Sequence, residues 1–233
     1  PVPTVESACG IAPVFPELAP PEPLPARLLA RWPLEEATAG VALDASGGGH
    51  EAKAVGLARS EGRNGRGAQR FDGKSYVECG DLGAHEALSI ALWVKAGTLN
   101  NAWNPLVFCN DGKPGAVHFS LLPDGTPNVA INVGGWNWTH RRARVSVGDG
   151  KWHHVALVCD ARTHGKIRFY IDGELAGENR LSLGRRLDLY GFRIGGWNRW
   201  EGSPANNFHG ELADVRIYGG TLSGEEAARE SGR

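Results

Sequence analysis

The stretch DGKWHHVALVCDARTHGKIRFYIDGELAG, residues 149–177, decides the fold. Trp152–Cys159 and Ile167–Ile171 read as a pair of strands, and Asp172-Gly173 opens the turn that follows. Within the first strand, Val155, Leu157 and Cys159 alternate with Ala156 and Val158. Both of its faces are therefore apolar, which predicts an inner strand of a sandwich, covered on each side.

The same short-strand grammar extends in both directions. Ser89–Lys95 (SIALWVK) puts Ile90, Leu92 and Val94 on one face by period two. Gln69–Cys79 reads as strand, Asp-Gly turn and strand, and Leu28–Trp32 as a first strand. Leu106–Cys109, His118–Leu122 and Val129–Val133 continue the series, with Pro123-Asp124-Gly125 as a turn. Phe192–Ile194 and Leu212–Tyr218 close it. Many short strands separated by turns predict an all-β sandwich or barrel and not βαβ units. In the closing strand Leu212 has one parity while Val215 and Ile217 have the other. A β-bulge near Ala213-Asp214 would return all three to the core and re-aim Asp214. One short helix is expected near the end, because Ser223 and Glu226 have capping-box spacing ahead of Ala227 and Ala228.

The chain has 233 residues, of which 25 are Lys or Arg and 26 Asp or Glu, for a formal net charge of -1. A nucleic-acid binder would need a basic surface, so that class is disfavoured. A hydrophobic fraction of 41% supports a packed core, and no apolar run approaches the roughly 18 residues of a membrane-spanning helix. Nine of the 14 prolines fall within residues 1–33. Residues 1–27 therefore read as an extended leader or linker, and 28–233 as the folded domain. Four cysteines, Cys9, Cys79, Cys109 and Cys159, show no zinc or CxxC spacing. Cys109 and Cys159 end apolar runs; buried thiols and disulfides both remain open, including a Cys9–Cys79 staple on the leader.

Several segments together resemble the laminin-G-like (LamG-like jelly roll) branch of the concanavalin A-like lectin/glucanase superfamily. They are DASGGGHEA (44–52), AQRFDGKSYVECG (68–80), LSIALWVK (88–95), the 149–177 stretch and FHGELADVRIYGGTLSGEEAARE (208–230). The resemblance covers about residues 28–230 and implies a two-sheet antiparallel jelly-roll sandwich with one short C-terminal helix. It also implies a structural Ca²⁺ held near Asp44, with Gly47 and Gly49 carbonyls and Asp214 as further ligands. Oxygen donors of this kind suit calcium. The family's Asn falls at Gly48 and an acidic position of its closing motif at Ala213, so Glu211 is the candidate to compensate.

Three segments join Trp to Asn: NNAWNP (100–105), GGWNWTH (134–140) and GGWNRW (195–200). Indole faces stack on sugar C–H faces, and amides exchange hydrogen bonds with hydroxyls. The candidate ligand-binding residues are Trp103, Asn104, Trp136, Asn137, Trp138, His140, Arg142, Asn198 and Trp200. The nearby Arg141, Arg199 and Glu201 add charge, and arginines there would suit an acidic sugar. Trp197 reads as a scaffold turn, and Trp32, Trp93 and Trp152 as core. Glucanases of the superfamily carry ExDxxE on one strand; this sequence has no such triplet, and glycoside hydrolysis usually needs two flanking carboxylates. His118, His140 and Arg142 are the residues a lyase would draw on. The reading that follows is a non-catalytic, lectin-like carbohydrate-binding module of a secreted or extracytoplasmic bacterial protein, part of a larger chain, with polysaccharide or glycoconjugate glycan as its partner. A polysaccharide lyase or hydrolase, and a structural or protein-binding laminin-G-type domain, are the alternatives.

Overall fold

The computed structural model of the chain describes residues 21–35, 40–109, 112–135, 137–197 and 206–233. In chain order the elements are β1 (Arg27–Trp32), β2 (Val41–Ala42), β3 (Ala52–Val55), β4 (Ala58–Ser60), β5 (Ala68–Asp72), β6 (Tyr76–Glu78), β7 (Ala84–His85), β8 (Ala87–Ala96) and β9 (Asn104–Cys109). Then come β10 (Val117–Leu121), β11 (Pro127–Gly134), β12 (Asn137–Arg142), β13 (Trp152–Asp160), β14 (Lys166–Ile171), β15 (Glu174–Arg180), β16 (Leu187–Asp188), β17 (Phe192–Ile194), β18 (His209–Gly219) and the helix α1 (Gly224–Glu230).

Two eight-stranded antiparallel sheets stack face to face as a jelly-roll sandwich. The first runs β15-β14-β13-β8-β18-β5-β4, with β1 also paired to β18; the second runs β12-β11-β10-β9-β17-β6-β3-β2. The expectation for 149–177 holds. β13 is an inner strand flanked by β8 and β14, and Val155 through Cys159 are buried on both of its faces. Leu157 and Ile90, which are register partners, belong to the core between the sheets. Ala156 and Val158 face outward under α1, in a smaller cluster with Tyr170, Tyr218, Leu222 and Ala227. The helix begins at the Ser223–Glu226 capping box expected from the sequence.

The closing strand carries the expected bulge. Its register with β8 shifts between Ala213 and Arg216, and Asp214 adopts φ 50°. Leu212, Val215 and Ile217 all reach the core with no exposed surface. The irregularity frees the Asp214 side chain to meet Arg31 and Arg216.

Two expectations need correction. Trp32 is core, but Trp93 and Trp152 are only half-buried. Trp93 lies opposite in parity to Ile90, Leu92 and Val94, so it faces outward, beneath the Arg63 guanidinium (3.6 Å to the ring centroid) and edge-on to His154. Cys79, Cys109 and Cys159 are buried free thiols. Cys9 and most of the leader lie outside the described residues; of that segment, Leu24 and Pro25 run beside Thr221.

Candidate functional site

The second sheet has one face on the core and one turned outward. On β10, Val117, Phe119 and Leu121 face the core; on β11, Val129 and Ile131 do. The alternate positions point the other way. Phe108 (β9), His118 (β10), Ala130 (β11) and His140 (β12) therefore form one row across the outer face, in register. Pro105, Ser120, Asn128 and Arg142 form the next row.

Onto this face the chain brings its aromatic segments. Trp103, from the loop ahead of β9, stacks on His140 (6.1 Å between ring centroids, 21° between planes) and meets Trp197 edge-on at 5.9 Å. Trp197, just after β17, packs on Phe108 at 5.4 Å. Phe108 stacks on His118 at 3.9 Å, and His118 on Trp138 at 4.2 Å. Trp138 and His140 are two residues apart on β12 and share its outward face, so the contacts run as a chain of six rings whose two ends lie on one strand. Six rings thus lie on this face, where the small Ala130 is the register partner of both His118 and His140. Strands lie about 4.8 Å apart, so β9 and β12 are about 14 Å apart. Trp103, linked through Trp197 to Phe108 at one side and to His140 at the other, must cross the face above β10 and β11.

All three Trp-Asn segments singled out in the sequence contribute to this face. Trp103, Trp138 and His140 stand in the chain of rings, and Asn137 is exposed at its edge. Arg142 is exposed on the same face; its Nη2 donates to Asp124 Oδ2 (2.7 Å) and Thr126 Oγ1 (3.0 Å). Asn104 has a different role from the one expected. It is fully buried, its amide donates to the carbonyls of Asn101 and Leu121, and its Oδ1 accepts from Asn101 N–H. It pins the loop that carries Trp103, and its amide hydrogens are already committed to those two carbonyls. Trp197, expected as scaffold, links two of the other rings. Trp136, Asn198, Trp200, Arg199 and Glu201 lie outside the described residues.

Phe108 and His118 were not among the candidate ligand residues. Phe108 hides in the continuous apolar run LVFC, where period-two reading fails because β9 carries a register irregularity opposite Phe119 and Ser120. His118 is neutral. Desolvation, the largest influence, together with the neighbouring His140, outweighs the hydrogen bond to the Cys109 carbonyl and lowers its pKa to about 3. An uncharged imidazole is therefore stacked between Phe108 and Trp138. The His118 ring resonances are expected to stay constant in an NMR titration from pH 5 to pH 8; a midpoint in that interval would contradict the burial.

The candidate calcium ligands divide into separate groups. Asp44 is enclosed by N–H and O–H donors: Oδ1 accepts from Arg31 N and Ser46 N, and Oδ2 from Ser46 Oγ and His50 N. Arg31 also links the turn to the closing strand, since its guanidinium pairs with Asp214 at 2.8 Å. Asp214 is held from the other side by Arg216 at 2.5 Å. Glu211 instead accepts from Ser60 Oγ (2.6 Å) and pairs with Lys95 (3.3 Å). Gly47 and Gly49 do take the positive φ of a tight turn, 82° and 74°. Among the described residues no group of three or more His, Cys, Asp or Glu side chains is arranged to hold a metal ion. The Asp44 turn and the closing strand do meet, through Arg31, but the carboxylates are held by arginines and backbone amides, an arrangement that does not fit Ca²⁺. The thermal midpoint is expected to be unchanged in EDTA. A fall in EDTA that added Ca²⁺ reverses would overturn this.

Desolvation alone would raise the Asp44 pKa, but the hydrogen bonds from Arg31, His50 and Ser46 outweigh it and hold the carboxyl at about 2. A depressed folded-state pKa contributes stability above the unfolded value and loses it as pH falls toward 2. Asp44→Ala leaves three backbone amides and a hydroxyl without their acceptor. It is expected to cost about 2 kcal/mol, or roughly 4–8 °C in thermal midpoint for a domain of this size. The difference from the parent should shrink between pH 5 and pH 2. An equal midpoint at pH 7 would refute the account.

With this geometry in hand, comparison with known proteins defines the class. Residues 71–228 match the laminin-G-type family of the concanavalin A-like lectin/glucanases superfamily, and the chain belongs to that family. Domain 4 of AbnA, an extracellular GH43 arabinanase from Geobacillus stearothermophilus solved with arabinotriose, is 22% identical with a TM-score of 0.67; the match covers 88% of this chain and 98% of that one. A structure of botulinum neurotoxin type C, titled for its interaction with two ganglioside molecules, is 13% identical with a TM-score of 0.64, covering 88% and 50%. These two likenesses are of fold. The mouse protein "Sushi, von Willebrand factor type A, EGF and pentraxin domain-containing protein 1" is 28% identical over 159 residues, 63% of this chain and 4% of that protein. The chain thus corresponds to a small part of that relative.

Proposed function

We propose that this domain is a non-catalytic, lectin-like module that binds a polysaccharide or glycoconjugate glycan on the outer face of its second sheet. The observation that carries the reading is the chain of contacting rings His140, Trp103, Trp197, Phe108, His118 and Trp138 on that face. Rings of this kind offer apolar faces to sugar C–H groups, and exposed amide, imidazole and guanidinium groups at the rim suit hydroxyls. Trp103 is 37% exposed, far above the fully buried Trp32. The superfamily's lectin members and the arabinotriose-bound AbnA domain lend support from the same fold. Glycans of this type are met outside the cytoplasm, which suits a secreted or extracytoplasmic module.

The reading favours binding over hydrolysis. Asp124, the carboxylate at the described rim, is already ion-paired with Arg142, whereas glycoside hydrolysis usually requires two carboxylates flanking the scissile bond. A glycan array followed by titration of tryptophan fluorescence tests the proposal. A bound saccharide is expected to change the emission of the indoles on this face. An array without a single ligand would overturn the reading and leave a structural or protein-binding domain.

A further inference from the structure

Among the described residues, four buried side-chain polar atoms have no hydrogen-bond partner: Ser120 Oγ, Asn128 Nδ2, Arg193 Nε and His154 Nδ1. Buried polar groups are almost always paired, because an unmade bond costs about 1–3 kcal/mol. Their distribution is uneven. Ser120, Asn128 and Arg193 all stand on the outer face of the second sheet. Arg193 is in register with Phe108, and Ser120 is directly opposite Asn128. Arg142 follows Asn128 in the same row. All three groups on this face can donate.

We infer that Ser120, Asn128 and Arg142 form a carboxylate-binding slot beneath Trp103, and that the module's ligand is an acidic glycan built from uronic acid residues. The inference rests on the saccharide reading above and names the sugar class it takes. A sugar carboxylate presents acceptor oxygens. The Ser120 hydroxyl and Asn128 amide can donate to one oxygen each, and Arg142, at the exposed end of the row, supplies the opposite charge. A neutral sugar would bring no charge to Arg142, whose present partner is the exposed Asp124.

Ser120 and Asn128 have 0% and 3% exposure. Trp103 crosses the face above their strands, on a loop held by Asn104. Entry of the acid group therefore requires the side chains that cover Ser120 and Asn128 to move aside. Binding is expected to shift indole emission more strongly for a uronate than for a neutral saccharide.

The test uses hexasaccharides of galacturonate, glucuronate, mannuronate and guluronate, each paired with its carboxyl-reduced counterpart, titrated calorimetrically against the whole chain. At least one uronate is expected to bind about 10-fold or more tightly than its reduced form, a difference of about 1.4 kcal/mol. Ser120→Ala, Asn128→Ala and Arg142→Gln should each bring that ratio toward one. Arg142 is exposed, so its variant keeps the measurement available even if the two buried substitutions impair folding. Equal affinity for a uronate and its reduced form would overturn the acidic-sugar inference while leaving the saccharide reading intact. A tenfold preference that survives Arg142→Gln would also overturn the slot. Failure of the whole panel together with the glycan array would remove both.

Discussion

Trp138→Ala is expected to weaken saccharide binding by about 10- to 100-fold, equivalent to roughly 1.4–2.8 kcal/mol, with the fold retained. Trp138 stands on the outward face of β12, next to His140 in that row, and covers one face of His118 at 4.2 Å, while Phe108 covers the other. Removing the indole deletes a stacking platform and lets His118 move. The loss should therefore exceed that of an isolated exposed aromatic. The side chain is only half-buried, so the cost in stability should stay well below that of a core aromatic, about 3–5 kcal/mol. Calorimetric titration beside thermal melting checks both halves. Unchanged affinity in a folded variant would remove the outer face of the second sheet from the binding account.

Gly195→Ala is expected to be strongly destabilising. Gly195 has φ 68°, and a Cβ built there falls 2.3 Å from the Phe71 ring. Phe71 is fully buried and packs edge-on against Phe208 at 6.1 Å, so it has nowhere to retreat. The backbone is fixed as well: Gly195 N–H donates to Leu106 O, and Gly195 O accepts from Phe208 N–H. The combined strain and overpacking should cost about 3–5 kcal/mol and lower the midpoint by roughly 10 °C. Gly184→Ala is the control, because its φ is 61° but no atom lies within 4 Å of the added carbon. It should show the backbone cost alone, about 1 kcal/mol. If the two variants melted together, the Phe71 contact would not be the cause. Gly195 also sets the course of the chain into Trp197, so the same substitution should weaken binding.

The strands that carry the sandwich were legible because their constraint is local. A strand covered on both faces must be apolar at every position, and β13 is so from Val155 to Cys159. The bulge at Asp214 was legible for the same reason: parity along one strand either matches the core or demands an extra residue. The Ser223 cap follows from four consecutive residues. Trp93 was misplaced as core although SIALWVK itself puts it opposite Leu92; size suggested burial, and parity was the better guide.

The site divides differently. Composition alone pointed to Trp103, Trp138 and His140, because indoles and amides clustered in turns have few structural uses in common. Asn104 shares that composition, yet its amide is spent on two buried carbonyls. Phe108, Ser120 and Asn128 left no signal, since a residue's sheet face across an irregular register depends on the partner strand. Calcium was suggested by acidic residues at matching positions, and the guanidinium of Arg31 now occupies one of those carboxylates.

The all-β sandwich, its bulged closing strand and its capped final helix were readable from the amino-acid order, since alternation, turn chemistry and capping are encoded within a few neighbouring residues. It took the folded molecule to bring loops nearly a hundred residues apart over one sheet, to chain six rings across it, and to leave Ser120 and Asn128 buried on the same face without partners. Those facts depend on which strands pair and in what register, and pairing is a property of the whole buried core.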